Sequence, residues 1–276
     1  MAMAPTLSNG DLPGLLTLLT GDEKHDRSSF STLDVLWVLY DRVLRIDPST
    51  QDEPGRDRFL LSKGHGPAAY YAVLAAKGFI SVDALADFGN GASVLGYHPD
   101  RLLVPGVEIS SGSLGHGLPI AVGVTLALDA AGARGPRVIC LVGDAELEEG
   151  SNFEAVQLAG RLRLGRLIVV VVDNDSSTYG WPGGVEKRFE LEGWSSARVD
   201  GRNHDALEAA FAAADGDRPH VVVAEVRPSS RCGSASTRSP AICSTRMRGW
   251  QLSSPRSEPA SCGRTRGWST SGSGSS

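Results

Sequence analysis

The stretch from Pro136 to Gly180, PRVICLVGDAELEEGSNFEAVQLAGRLRLGRLIVVVVDNDSSTYG, limits what this chain can fold into more than any other. It holds two short apolar runs rich in β-branched residues, Arg137 to Val142 (RVICLV) and Leu167 to Val172 (LIVVVV). Runs with no polar face suit strands of a parallel sheet covered by helices on both sides. Between them, Asn152 to Arg163 has the spacing of an amphipathic crossover helix, which makes the stretch a βαβ unit. The expected class is α/β, a parallel sheet flanked by helices.

Each strand ends on oxygen-bearing residues, Gly143-Asp144 after the first and Asp173-Asn174 after the second. Parallel strands bring their carboxyl ends to one edge, and open α/β sheets bind ligands outside that edge. Asp144 and Asn174 are therefore expected to be neighbours in space. A carboxylate with an amide oxygen suits a hard cation, Mg²⁺ or Ca²⁺. Mg²⁺ takes only one or two carboxylates and fills its other positions with water and phosphate oxygens. The chemistry points to a divalent ion holding a phosphorylated cofactor. An ordinary βαβ turn with Asp144 as a capping residue has the same spacing, so on spacing alone both readings stay open.

The segment GDAELEEG followed by VVDNDSS resembles the thiamine diphosphate motif, which begins GDG and ends in an Asn. The wider run EGSNFEAVQLAGRLRLGRLIVVVVDN resembles transketolase specifically. That resemblance implies a thiamine diphosphate-binding fold, the N-terminal section or subunit of a transketolase. It also implies that Asp144, Asn174 and the backbone carbonyl of Ser176 bind the metal, which bridges the diphosphate beside Gly143. The third position of GDG is Ala145 here, where glycine would let the backbone come closer to a phosphate.

Three further segments stand in the order of the same family. In RDRFLLSKGHGPAAYYAVLAAKGFI, Phe59 to Leu61 reads as a strand, Lys63 to Gly66 as a turn, and Pro67 opens a helix. The resemblance implies that His65 contacts substrate or cofactor, while His in such a turn is also a common structural residue. LGYHPDR resembles a GHPE or GHPD segment and implies that His98 faces the substrate channel. In VPGVEISSGSLGHGLPIAVGVTLALDAAG, Val107 to Ser110 is strand-like, and Gly112, Gly115 and Gly117 crowd a turn that opens a helix from Leu118 to Ala131. Such a turn lets backbone approach a ligand. By resemblance Gly112 and Leu114 contact the thiamine part, and His116 stands where Gln or His occurs.

Upstream, Thr32 to Leu44 has apolar residues at helical spacing, with Ser31-Thr32 as capping chemistry. His25 falls at the His of the family's SGHIGGS loop, which helps bind the donor sugar, but Asp26, Arg27, Ser28 and Ser29 stand after it and the family's glycines are missing. His25 also reads as a plain exposed residue. Convergence of His25, His65 and His98 would suit hydrogen bonding to sugar hydroxyls and proton transfer. Glu149 and Glu154 open the crossover helix. They either complement its dipole or, by resemblance, belong to an acidic cluster between active sites, with Glu149 beside the cofactor.

The remaining elements are a helical turn or two in LPGLLTLLT, a short helix from Val82 to Asn90, and a loop over WPGGVEKRFE. EGWSSARVDGRNHDALEAAFAAA resembles the family's short strand, DGHD-like turn and helix, which implies a helix started by His204 and Asp205; a last buried strand runs from His220 to Val226. No catalytic role is expected of His204 or Asp205.

Charge divides the chain of 276 residues unevenly. Net charge is -5; residues 229–276 carry +6 and residues 1–228 carry -11. An acidic body argues against nucleic-acid binding. No run approaches the roughly 18 apolar residues of a membrane span. The start lacks a signal pattern, so the expectation is a cytoplasmic enzyme. The four cysteines show neither metal nor disulfide spacing.

The resemblance stops at Arg227. Residues 229–276 hold fifteen Ser and little periodicity, a composition that cannot offset its ordering entropy. A disordered linker and a frameshifted end both stay open, and the domain is set at 1–228. In transketolase a second domain binds the pyrimidine and supplies a Glu that activates the cofactor. The resemblance therefore implies a split enzyme that moves a two-carbon ketol unit between sugar phosphates. It would need a C-terminal partner subunit in a homo- or hetero-oligomer. The alternatives are a component of a 2-oxo acid dehydrogenase or decarboxylase, and a truncated non-catalytic homologue.

Overall fold

Five strands pair in parallel in a computed structural model that describes residues 7–19, 26–64 and 66–226, with only the backbone of 26–29. All of these lie within one compact unit, Met1–Ser229. His25, His65 and the segment 229–276 lie outside the described residues. The strands are β1 (Arg58–Leu61), β2 (Val138–Gly143), β3 (Leu167–Asp173), β4 (Ser195–Asp200) and β5 (His220–Glu225). Their order across the sheet is β1-β2-β3-β5-β4. The helices are α1 (Leu12–Leu16), α2 (Asp26–Val38), α3 (Ala68–Ala76), α4 (Gly117–Ala130), α5 (Gly150–Arg161), α6 (Val185–Leu191) and α7 (His204–Ala212).

The fully apolar strands are buried on both faces, as their sequence requires. Phe59, Leu61, Ile139, Leu141, Ile168, Val170, Val172 and Val222 pack in one core with residues of α1, α2, α3 and α7. The alternate residues Leu60, Val138, Cys140, Val142, Leu167, Val169, Val171 and Val221 pack in a second core with α4, α5 and α6. The period-two alternation of a strand thus feeds two helical layers. Each such side chain contributes on the order of 1.5–3 kcal/mol through burial. The core of β3 is what holds the tips of its neighbours in register: Gly143 lies opposite Val172, and Asp173 opposite Glu225.

Four local expectations are corrected. Val107 to Ser110 forms no strand; Ser111 N–H donates to Pro99 O (3.1 Å) and Arg101 N–H to Ser110 Oγ (3.0 Å), so this connector is tied to the preceding loop, not to the sheet. WPGGVEKRFE is not all loop, because α6 forms from Val185 and buries Val185 and Phe189 at i, i+4. Ser31 and Thr32 are not caps: α2 starts at Asp26, and both residues are buried within it. The helix then widens into a π turn over Leu39–Val43. Val82–Asp87 is a 3-10 turn capped by Ser81, shorter than the expected helix. Among the described residues no helix is long and apolar enough to cross a membrane.

Candidate functional site

The carboxyl edge of the sheet gathers the polar residues. β2 ends at Gly143 and presents Asp144, which is 1% exposed. Beside it β3 ends at Asp173 and presents Asn174. Asp175 then adopts a left-handed conformation (φ 59°), which Asp tolerates better than most residues. That turn folds the chain back over the first strand tip. Ser176 N–H and Ser177 N–H donate to Asp144 Oδ2 at 2.7 and 3.0 Å, and Ser176 Oγ donates to Oδ1 at 2.5 Å. Ser177 Oγ and Tyr179 N–H donate to Glu148 Oε1 at 2.6 and 2.9 Å, and these bonds hold the Glu148 carboxyl below its usual range. Two residues far apart in sequence, Asp144 and Asn174, are thus on adjoining strand ends.

Asn174 carries the most informative atom. Its Nδ2 donates to Ser31 Oγ on α2 at 3.3 Å, while its Oδ1 is buried without a hydrogen-bond partner. A buried acceptor left unpaired costs about 1–3 kcal/mol, which a cation would offset. Among the described residues no group of three or more His, Cys, Asp or Glu is arranged to hold a metal. One carboxylate, one amide oxygen and the oxygens of a bound phosphate form a fitting set for Mg²⁺. The residues present therefore fit a divalent ion that arrives with a phosphorylated cofactor. Ala145 is compatible with this. Its φ of -67° is ordinary right-handed backbone, so its methyl group carries no conformational cost.

Around this tip lies a buried charged layer. Lys63, at the end of β1, is 9% exposed, and burial lowers its ammonium to about 8 against the pull of the Asp144 and Glu146 carboxylates. Glu146 is 2% exposed, and burial raises its carboxyl against the opposing effect of Ser62 Oγ and two backbone amides. A cavity of about 600 Å³ opens beside Asp144, lined by it and by Asp173, Ser177, Trp181, Arg198 and Glu225. Arg198 is held by Glu186 (2.8 Å) and Asp173 (3.0 Å). A second cleft, about 350 Å³, is lined by Ile46, Asp52, Arg56, Arg101, Leu102 and Glu108, next to the residues that precede β1.

The glycine turn before α4 reaches the same edge. Gly112 lies against the His98 ring, with an ideal Cβ only 3.0 Å from Cδ2, so these two sequence-selected residues meet. Leu114 is 43% exposed. Gly115 has φ 82°, and a Cβ there would fall 2.6 Å from the Glu149 Cβ. Glu149 itself is exposed and stands at the N-cap position of α5. His116 is exposed and precedes α4. His204 is the first residue of α7 and its Nε2 lies 2.9 Å from Asp34 Oδ1, a link between α7 and α2.

Ser31, Ser62, Lys63, Glu146 and Ser177 were given no site role from sequence. Lys63 carried a signal, as the cation at the carboxyl end of a strand. Glu146 lay hidden within the acidic run ELEE, where burial separates it from its exposed neighbour Glu149. Ser31 had none, since its partner Asn174 is 143 residues away.

Comparison with known proteins agrees with this geometry. The family model described as "Transketolase, thiamine diphosphate binding domain" matches residues 20–238. The chain is 52% identical over 233 residues to "Ferredoxin fas2" of Rhodococcoides fascians, covering 84% of this chain and 77% of that one. It is 35% identical over 207 residues to an apulose-4-phosphate transketolase subunit of Actinobacillus succinogenes, covering 72% and 75%. The solved transketolase of Leishmania mexicana superposes with a TM-score of 0.65 at 27% identity, over 80% of this chain and 37% of that one. The chain thus spans little more than a third of that transketolase's length. The strand tips, the glycine turn and these matches lead to one conclusion: the chain belongs to the transketolase family and carries its thiamine diphosphate binding domain.

Proposed function

We propose that this chain is the N-terminal subunit of a two-chain transketolase that transfers a two-carbon ketol unit between sugar phosphates. The observation that carries the reading is the buried, unpartnered Oδ1 of Asn174 beside the Asp144 strand tip. In this reading Asp144, Asn174 and the Ser176 carbonyl hold Mg²⁺ or Ca²⁺. Gly143 and Ala145 lie along the diphosphate, and Lys63 offsets part of its charge. Gly112 and Leu114 support the thiamine part. When bound, thiamine diphosphate supplies a carbon nucleophile and an electron sink. His98 hydrogen-bonds sugar hydroxyls and holds or releases a proton at its imidazole nitrogen; His25 and His65 are proposed to share this work. Glu149, at the N-cap position of α5, is proposed to stand beside the cofactor.

A partner chain with the pyrimidine-binding domain is part of the proposal. Relatives named as transketolase subunits support it. So do two exposed side chains, Leu114 in the glycine turn (43%) and Tyr179 in the loop that folds over Asp144 (85%). Exposed apolar groups suit a covering protein surface. The test is a ketol-transfer assay on the chain alone and after mixing with the partner. Turnover is expected only in the mixture, while Mg²⁺-dependent binding of thiamine diphosphate is expected of the chain on its own by calorimetry. Robust turnover by the isolated chain would overturn the split-enzyme reading.

A further inference from the structure

The glycine turn and the Asp144 loop come from different parts of the chain, yet one side chain joins them. Glu146 Oε1 accepts from Gly115 N–H at 3.0 Å and from Ser62 Oγ at 2.5 Å. Its Oε2 accepts from Gly143 N–H at 3.3 Å. Ser62 Oγ in turn accepts from Gly117 N–H at 3.0 Å. At the other backbone group of Gly115, Ser151 Oγ donates to Gly115 O at 2.8 Å. Asn152 Nδ2 fixes the Glu146 backbone by donating to its carbonyl at 2.6 Å. Contact is tight enough to exclude any other residue at Gly117, where a Cβ would lie 2.3 Å from Ser62.

Both polar groups of Gly115 are therefore taken by side chains, Glu146 of the β2–α5 connection and Ser151 in the first turn of α5. We propose that Glu146 is a positioning residue which, with Ser151, latches the glycine turn to the Asp144 loop and sets their separation. The proposal rests on the reading of the site given above and deepens it. If Asp144 holds the phosphate end of the cofactor and Gly112 and Leu114 hold the other, a single ligand spans both loops. A small error in their spacing then weakens binding of the whole ligand but not of its phosphate part. Glutamate suits the task because three donors converge on its two oxygens. A glutamine would turn one acceptor into a donor facing a donor, with little change of shape.

The test compares two probes on the full chain by calorimetry, thiamine diphosphate and inorganic pyrophosphate, each with Mg²⁺. Glu146→Gln is expected to weaken thiamine diphosphate about ten-fold, as loss of a supporting contact does elsewhere, and pyrophosphate less than about two-fold. Ser151→Ala, further from the core, should give the same split at smaller size. Hydrogen exchange without ligand gives a second measure. The peptide covering 112–117 should exchange about ten-fold faster in Glu146→Gln while β2 and β3 keep their protection. Equal loss of both probes would make Glu146 a general support of the phosphate loop and overturn the latch. So would unchanged affinity or unchanged exchange at 112–117. If the unsubstituted chain binds neither probe, the reading of the site itself falls, and the latch with it; a sound reading with a failed latch shows as binding by the unsubstituted chain that Glu146→Gln leaves unaltered.

Discussion

Two buried aspartates stand at opposite edges of the sheet, and the chain treats them differently. Asp57 precedes β1 at the amino edge and is 0% exposed. It accepts from Arg45 Nη2 (2.7 Å), Arg137 Nη2 (2.6 Å) and the backbone N–H of both residues. Burial raises its carboxyl, but the two arginines outweigh that and hold it at about 2. Asp144, at the carboxyl edge, is as buried but accepts from two amides and a hydroxyl, beside an Asn oxygen with no hydrogen-bond partner. Where the chain supplies its own counter-charges, the acid is scaffold. Where it supplies neutral donors next to a cavity, a place is left for a cation from outside.

The largest expected effect breaks the second half of that contrast. Asp144→Ala should weaken thiamine diphosphate in Mg²⁺ by at least about 100-fold, above the range for supporting contacts because the proposed site would lose a direct metal ligand. Calorimetry measures it, and urea unfolding should show the fold retained. Affinity within about ten-fold of the original would mean that Asp144 is only a loop anchor.

Asp57→Asn should do the reverse. It leaves two guanidinium groups without their shared acid, and because both are partly exposed the cost is moderate, about 2–3 kcal/mol. Cofactor affinity should not change. The pH dependence has a definite sign. The folded carboxyl lies at about 2, below its ordinary 3.8, so its stabilisation is complete above the ordinary value and is lost as pH falls toward 2. The amount is about 2 kcal/mol. Unfolding midpoints near neutral pH and near the folded carboxyl's own value would check it: Asp57→Asn should lose less on acidification than the original chain.

The two edges also differed in how far they could be read from sequence. Asp144 and Asn174 were legible because βαβ geometry fixes where strand ends go, and the runs RVICLV and LIVVVV are unambiguous. The Asp57 staple was not. Its partners Arg45 and Arg137 lie 12 and 80 residues away, and nothing local marks an arginine as bound. The family resemblance placed α7, and periodicity placed α4 and α5 close to where they form. It failed for α6, a seven-residue helix that follows WPGG and takes its stability from packing Val185 and Phe189 against the sheet. It failed as well for Val107 to Ser110, whose β-branched residues pack on the core without pairing with a strand.

Lys63 sharpens the comparison from the side of charge. It is a cation buried near Asp144 and Glu146, where Asp57 has two arginines. If its role is toward a ligand's phosphate, Lys63→Met should weaken both thiamine diphosphate and pyrophosphate on the order of ten-fold, with a smaller effect at high salt. That pattern differs from the one expected for Glu146→Gln, which spares pyrophosphate. Loss of thiamine diphosphate alone would place Lys63 with the glycine turn instead.

The smallest effect falls on Ser31, which reaches the site from α2. Its Oγ accepts from Asn174 Nδ2 at 3.3 Å, a long bond of modest strength. The bond nevertheless restrains the amide whose Oδ1 lies buried and unpaired. Without it the amide is free to turn, and the oxygen no longer points one way by default. Ser31→Ala should therefore weaken Mg²⁺-dependent cofactor binding by roughly three-fold, less than other supporting contacts because the bond is long. Ser31→Thr, which keeps the hydroxyl, should restore it. A drop in affinity shared by the alanine and threonine variants would assign the effect to packing of α2 rather than to the Asn174 amide. The contrast between a self-sufficient acid and a site open to a ligand would then rest on Asp144 alone.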